Sequence, residues 1–134
     1  MTQKSFQPGG RPGRIPTDPM ATTFENVDIS LFDLYRNNLW NSGDQVLNGR
    51  TFIGCQIEGP AVMTVLPGVT FDGTDFGLTD GDIRNLVLRP AGPRKVIGTI
   101  PVQDCKFINC VFHGVGFTGP EAFLQQILSL EIAK

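Results

Sequence analysis

Hydrophobic residues along this chain recur at a spacing that neither a helix nor an ordinary strand produces. In "CKFINCVFHGVGFTG", residues 105–119, phenylalanine stands at 107, 112 and 117. That is every fifth position, whereas helices repeat at 3.6 residues and strands at 2. The same step joins Phe24 to Ile29, Phe52 to Ile57 and Val62, Phe71 to Phe76, Ile83 to Leu88, and Val102 to Phe107. Two places earlier stand Arg50, Cys55 and Pro60 in the second run, and Cys105, Cys110 and Val115 in the last. A chain that turns a corner every five residues makes a square coil of about twenty, with the bulky residue and the one two before it pointing inward. Stacked coils would lie about 4.8 Å apart, hydrogen-bonded coil to coil. The predicted core is therefore Phe52, Ile57, Phe71, Phe76, Cys105, Phe107, Cys110, Phe112, Val115 and Phe117.

"CKFIN CVFHG VGFTG" resembles the pentapeptide-repeat family, and "TTFEN VDISL" and "VTFDG TDFGL" resemble it more loosely. The family's repeat runs small residue, Asp or Asn, Leu or Phe, polar residue, and often Gly, and its members form a right-handed quadrilateral β-helix. The second place is rarely Asp or Asn here, and the repeat breaks between Val62 and Phe71, Phe76 and Ile83, and Leu88 and Val102. The resemblance covers about half the chain and implies a mainly β protein, a short right-handed parallel β-helix.

Two segments follow a helical pattern instead. "SLFDLYRNNLWNSG" places Ser30 and Asp33 at capping-box spacing and sets Leu31, Leu34, Tyr35 and Leu39 on one face before a glycine. "TGPEAFLQQILSLEIAK" repeats the device with Thr118, Pro120 and Glu121. Helices are predicted near 31–41 and 120–132, closing the two ends of the coil, because an open sheet edge invites pairing. The second is apolar on more than one face, which marks Phe123 and Ile127 as candidate contacts with another subunit.

Composition narrows the class. At 134 residues the chain suits one domain, here 21–134, preceded by an arm of Pro and Gly over 1–20 that is read as flexible. The arm is +2, with Arg11 and Arg14 among its bases, and the body is −4, which argues against direct nucleic-acid binding by the body. No apolar run is long enough to span a membrane and the start lacks a secretory h-region, so the expected location is cytoplasmic or within a particle assembled there. Three cysteines are an odd count, read as buried free thiols.

No catalytic, metal or cofactor set is expected. The single histidine, His113, follows an inward Phe112 and should face outward, while Cys110 should face inward and away from it. Asp72, Asp75, Asp80 and Asp82 crowd one Gly-containing turn without calcium-loop spacing. Arg89, Arg94 and Lys95 sit on a Pro and Gly loop that could grip an acidic partner or a phosphate. Tyr35 and Trp40 lie in the first helix, where burial against the first coil is the expected fate.

The functional reading is a non-enzymatic structural or interaction protein, a subunit of an oligomer such as a phage-like particle, with itself or other protein subunits as partner. The family resemblance implies one alternative, a DNA mimic that binds DNA gyrase. About three coils, roughly 15 Å, would need about nine charges in imitation of duplex DNA, against a body of net −4. A small-ligand or glycan platform at Tyr35 and Trp40 is the other.

Overall fold

The computed structural model describes residues 16–77, 82–89 and 97–133. Along these run β1 (Thr23–Glu25), β2 (Asp28–Ser30), α1 (Leu31–Ser42), β3 (Leu47–Asn48), β4 (Thr51–Ile53) and β5 (Gln56–Val65). After them come β6 (Thr70–Asp72), a 3-10 turn at Ile83–Leu86, β7 (Ile100–Gln103), β8 (Lys106–Ile108), β9 (Val111–Thr118) and α2 (Glu121–Ala133). The protein is mainly β. Its strands pair in parallel, in one sheet of order β1-β4-β8-β6 and a second of order β2-β5-β7-β3 with β9 also on β5.

Register explains the period of five. Phe24, Phe52, Phe107 and Phe71 are aligned across the first sheet. Ile29, Ile57 and Phe112 are aligned across the second. Each short strand of the first sheet ends in a left-handed residue, Asn26 (φ 55°), Gly54 (63°), Asn109 (53°) or Gly73 (61°), which turns the chain into the next strand. Asn and Gly adopt that conformation at least cost, so they mark the fifth place.

The four aligned phenylalanines form a column, with centroids 5.4, 4.8 and 5.2 Å apart and rings within 10° of parallel. Phe123 of α2 adds a fifth ring, 5.7 Å from Phe71. Burying each such side chain contributes about 1.5–3 kcal/mol. Phe52, Ile57, Cys105, Phe107, Cys110, Phe112, Val115 and Phe117 are all buried, whereas Phe71 and Phe76 are half-buried at the end of the stack.

Layer order is not chain order. β8 lies between β4 and the earlier β6, and Phe117 of β9 lies between Met63 of β5 and Val87. The segment from 100 to 118 is thus inserted between two earlier stretches.

Three expectations need correction. Val62 is not the inward residue of its run, because the ladder slips between Glu58 and Ala61 and Met63 takes the buried place opposite Phe117. Ile83 and Leu88 do not continue the strand pattern. Ile83 is in the 3-10 turn, Leu86 is the buried residue, and Leu88 is 47% exposed. Thr118 does not cap α2, since it belongs to β9 with its hydroxyl buried and unbonded, and the amides of Phe123 and Leu124 in the first turn donate to Pro120 O.

Helix α1 is capped as its sequence indicates. Ser30 Oγ accepts from Asp33 N, and Gly43, at φ 76°, donates to Leu39 O. The helix buries Leu31, Leu34 and Asn38 and packs on β2 and β5. At that end Phe24 is only 4% exposed. No helix among the described residues is long and apolar enough to cross a membrane.

Candidate interaction site at the open sheet edge

Strand β6 has a strand neighbour on one side alone among the described residues. Thr70 N donates to Cys105 O, and Asp72 O accepts from Asn109 N, so these groups are committed to the β8 layer. Successive residues of a strand direct their backbone groups to opposite sides, which turns the N–H and C=O of Phe71 to the open side. Over that edge lies a groove of about 380 Å³ lined by Val69, Thr70, Phe71, Phe76, Phe123, Gln126 and Ile127.

The two ends of the stack therefore differ. At the β1 end Phe24 is buried in one cluster with Leu31 and Leu34 of α1, while at the β6 end Phe71, Phe76 and Phe123 are half-buried. Phe71 and Phe123 stack, and Phe76 meets Phe71 at 5.3 Å, so the groove wall is a fixed aromatic surface. The candidate contacts Phe123 and Ile127 both line it, together with Phe71 and Phe76 of the expected core. Ile127 is only 2% exposed, so it belongs to the groove floor and to the protein's own core.

The charged candidates divide. Asp72, on β6, and Asp75, just beyond it, are exposed beside the groove. Asp75 Oδ1 accepts from Gly77 N. Asp82 instead caps the 3-10 turn and pairs with Arg84 at 2.7 Å, which lowers its carboxyl to about 2. Arg89 does not offer a free cation. Its guanidinium forks onto Glu121 at 3.1 and 2.9 Å, holding that carboxyl at about 2, with a further hydrogen bond from Gln125. Glu121 also stands in the first turn of α2, where negative charge favours the helix dipole. Arg11, Arg14, Asp80, Arg94 and Lys95 lie outside the described residues.

Sequence reasoning missed two features at the opposite end. Arg50 occupies an inward place aligned with Cys105, yet it is 4% exposed rather than extruded. Its guanidinium reaches Pro19 O at 3.0 Å, Ala21 O at 3.2 Å and Asn38 Oδ1 at 2.8 Å. Burial lowers its pKa, and the nearby Cys105 and Asp18 act the other way. The end of the expected arm, residues 16–20, is thus fastened to the first strands. The only signal in the sequence was a charged residue at a core spacing.

The second feature is on α1. Trp40 is 71% exposed, against the expectation that it packs on the first strands. The Arg36 guanidinium lies over its ring at 4.4 Å and over Phe32 at 5.6 Å, making a stripe at i, i+4 and i+8. Tyr35 is half-buried beside Phe32.

All three thiols are free and buried. Cys55 and Cys110 occupy adjacent layers. A hydrogen bond from Cys110 lowers Cys55 to about 7 against the effect of burial, and the same contact followed by burial raises Cys110. His113 is exposed and pairs with Gln56, and no group of three or more metal-donor side chains exists among the described residues. No protein-family model, curated protein or solved structure matches this chain.

Proposed function

We propose that this protein is a non-enzymatic structural subunit that associates with copies of itself or with other protein subunits, such as components of a phage-like particle. In this reading the parallel sheets are walls of a short right-handed β-helix like that of the pentapeptide-repeat family. It is wound as two interleaved runs, with 100–118 filling the space left between layers of 47–87. One observation carries the reading. Among the described residues β6 has no outer strand and lies beside an aromatic groove whose walls are half-buried, whereas at the β1 end Phe24 is buried. An unprotected edge next to apolar surface favours a protein partner.

Light scattering at several protein concentrations tests it. The wild-type mass should rise with concentration. Val69→Lys, which sets a charge at the edge, should return it toward the monomer. A wild-type monomer throughout the range would overturn the reading.

The exposed Trp40 with its stacked arginine favours a second reading, a platform for a ring-shaped small ligand or glycan. Quenching of Trp40 fluorescence by a panel of soluble sugars would support it, and an unchanged spectrum would dismiss it. DNA mimicry gains less support, because Asp82 and Glu121 are already neutralised by Arg84 and Arg89.

A further inference from the structure

We propose that the β6 groove is filled by residues 1–15 of a second copy of this chain, with 2–7 adding as a strand beside Phe71 and Phe6 entering among Phe71, Phe76 and Phe123. This rests on the assembly reading above and names its partner segment. Strand addition at an open edge supplies affinity through backbone hydrogen bonds and specificity through a side-chain pocket, and the groove provides both.

The chemistry of residues 1–15 matches. "TQKSFQ", 2–7, is free of proline and glycine and holds the segment's single aromatic residue, Phe6. "PGGRPGR", 8–14, cannot extend that strand and suits a linker. The segment carries Lys4, Arg11 and Arg14 and no acid, while Asp72 and Asp75 stand exposed beside the groove. Opposite charges there would steer the encounter and set its direction.

A second copy gives the segment the shorter path; residues 8–18 are long enough to span the stack within one molecule, so the choice of a second copy rests on the assembly reading above. Arg50 fastens Pro19 and Ala21 at the β1 end, and β6 is three strand spacings away, about 14 Å. Within one molecule the segment must run the depth of the stack and turn onto its far end. When the β1 end of one copy faces the β6 end of the next, the root of the segment starts beside the groove. Such a contact is heterologous, so it produces rings or open chains of copies rather than a two-fold dimer.

The test uses the full chain. Sedimentation velocity is run on the wild type, on Phe6→Asp, and on the wild type with an excess of a synthetic peptide of residues 1–15. The expected result is an oligomer whose self-association weakens about tenfold or more in Phe6→Asp, as for an interface anchor, and which the peptide dissociates. Asp72→Lys with Asp75→Lys, both on the surface, should also weaken it and make it less sensitive to salt. An oligomer unchanged by Phe6→Asp and by the peptide would overturn this inference and leave the assembly reading standing. A monomeric wild type would overturn both.

Discussion

Replacing Arg50 by methionine tests whether the buried guanidinium is what joins the first helix and residues 16–21 to the sheets. Methionine keeps much of the stem that packs in the core and removes only the donor group. Three oxygens lose a charged donor, at Pro19, Ala21 and Asn38. Each such bond contributes about 1.5–3 kcal/mol, but relieving the desolvation of a buried cation offsets part of that. The two backbone oxygens lie near the surface and can turn to water. Asn38 is 5% exposed, so its Oδ1 is stranded, at a cost of about 1–3 kcal/mol. The net expectation is a loss of about 2–4 kcal/mol.

Urea unfolding followed by circular dichroism reads that loss as a lower midpoint at unchanged slope. A double-mutant cycle with Asn38→Ala isolates the Arg50 to Asn38 bond, with an expected coupling of about 1.5–3 kcal/mol. Native-state hydrogen exchange should show α1 amides opening before those of β4 and β8 in the methionine variant. A loss below about 0.5 kcal/mol, with no coupling to Asn38, would refute the reasoning. Arg50 would then be a tolerated intruder in an apolar column.

Phe107 lies mid-column between Phe52 and Phe71, so Phe107→Ala should cost about 3–5 kcal/mol in the same urea assay, more than Phe71→Ala at the half-open end. Gly54 is left-handed, and a Cβ on it would strike Asn26 Oδ1, so Gly54→Ala should destabilise by more than about 1 kcal/mol. Asn26→Gly should recover the steric part of that loss while the backbone part persists, and no recovery would show that the contact is not responsible. The Glu121 carboxyl is held at about 2 by Arg89, below its ordinary 4.5, so its contribution is present above pH 4.5 and lost as pH falls through about 2. The difference in urea midpoint between wild type and Glu121→Gln should therefore be full at pH 6, shrink below 4.5 and be mostly gone as the pH falls through about 2. A difference that does not shrink between pH 4.5 and 2 would mean that the ion pair is not its source.

Much of the strand content was legible because burial acts on each layer separately. Every fifth residue turns inward from the next stretch of backbone, so Phe107, Phe112 and Phe117 mark three successive buried places without reference to the rest of the chain. The two helices were legible as well, α1 through its caps and apolar face and α2 through its run of apolar residues, although Thr118 is not its cap. Val62 and Leu88 failed because one inserted residue shifts a register invisibly, and because a 3-10 turn can carry apolar residues at strand-like spacing. Of the site, Phe123 and Ile127 could be singled out from an excess of apolar surface on α2. Their companions Phe71 and Phe76 could not be distinguished from interior residues, since nothing local says which layer comes last.

Layer order was the hidden variable, and the corner residues show why. Down the first sheet the left-handed positions read Asn26, Gly54, Asn109, Gly73, which is layer order and not chain order. The side chain of Asn26 occupies the space that a Cβ on Gly54 would need, and Asn109 does the same to Gly73. At another corner Asp104 stands in that relation to Gly68. A corner with a side chain therefore calls for glycine in the next layer, and two such side chains cannot be neighbours in that direction without displacement. Had the layers followed the chain, Gly54 would have met Gly73, and Asn109 would have come last with nothing below it. Placing 100–118 between them restores the alternation of Asn and Gly. The insertion that brings β6 to the end of the sheet, with no outer strand among the described residues, is thus consistent with the corner residues as well as with the stacked phenylalanines.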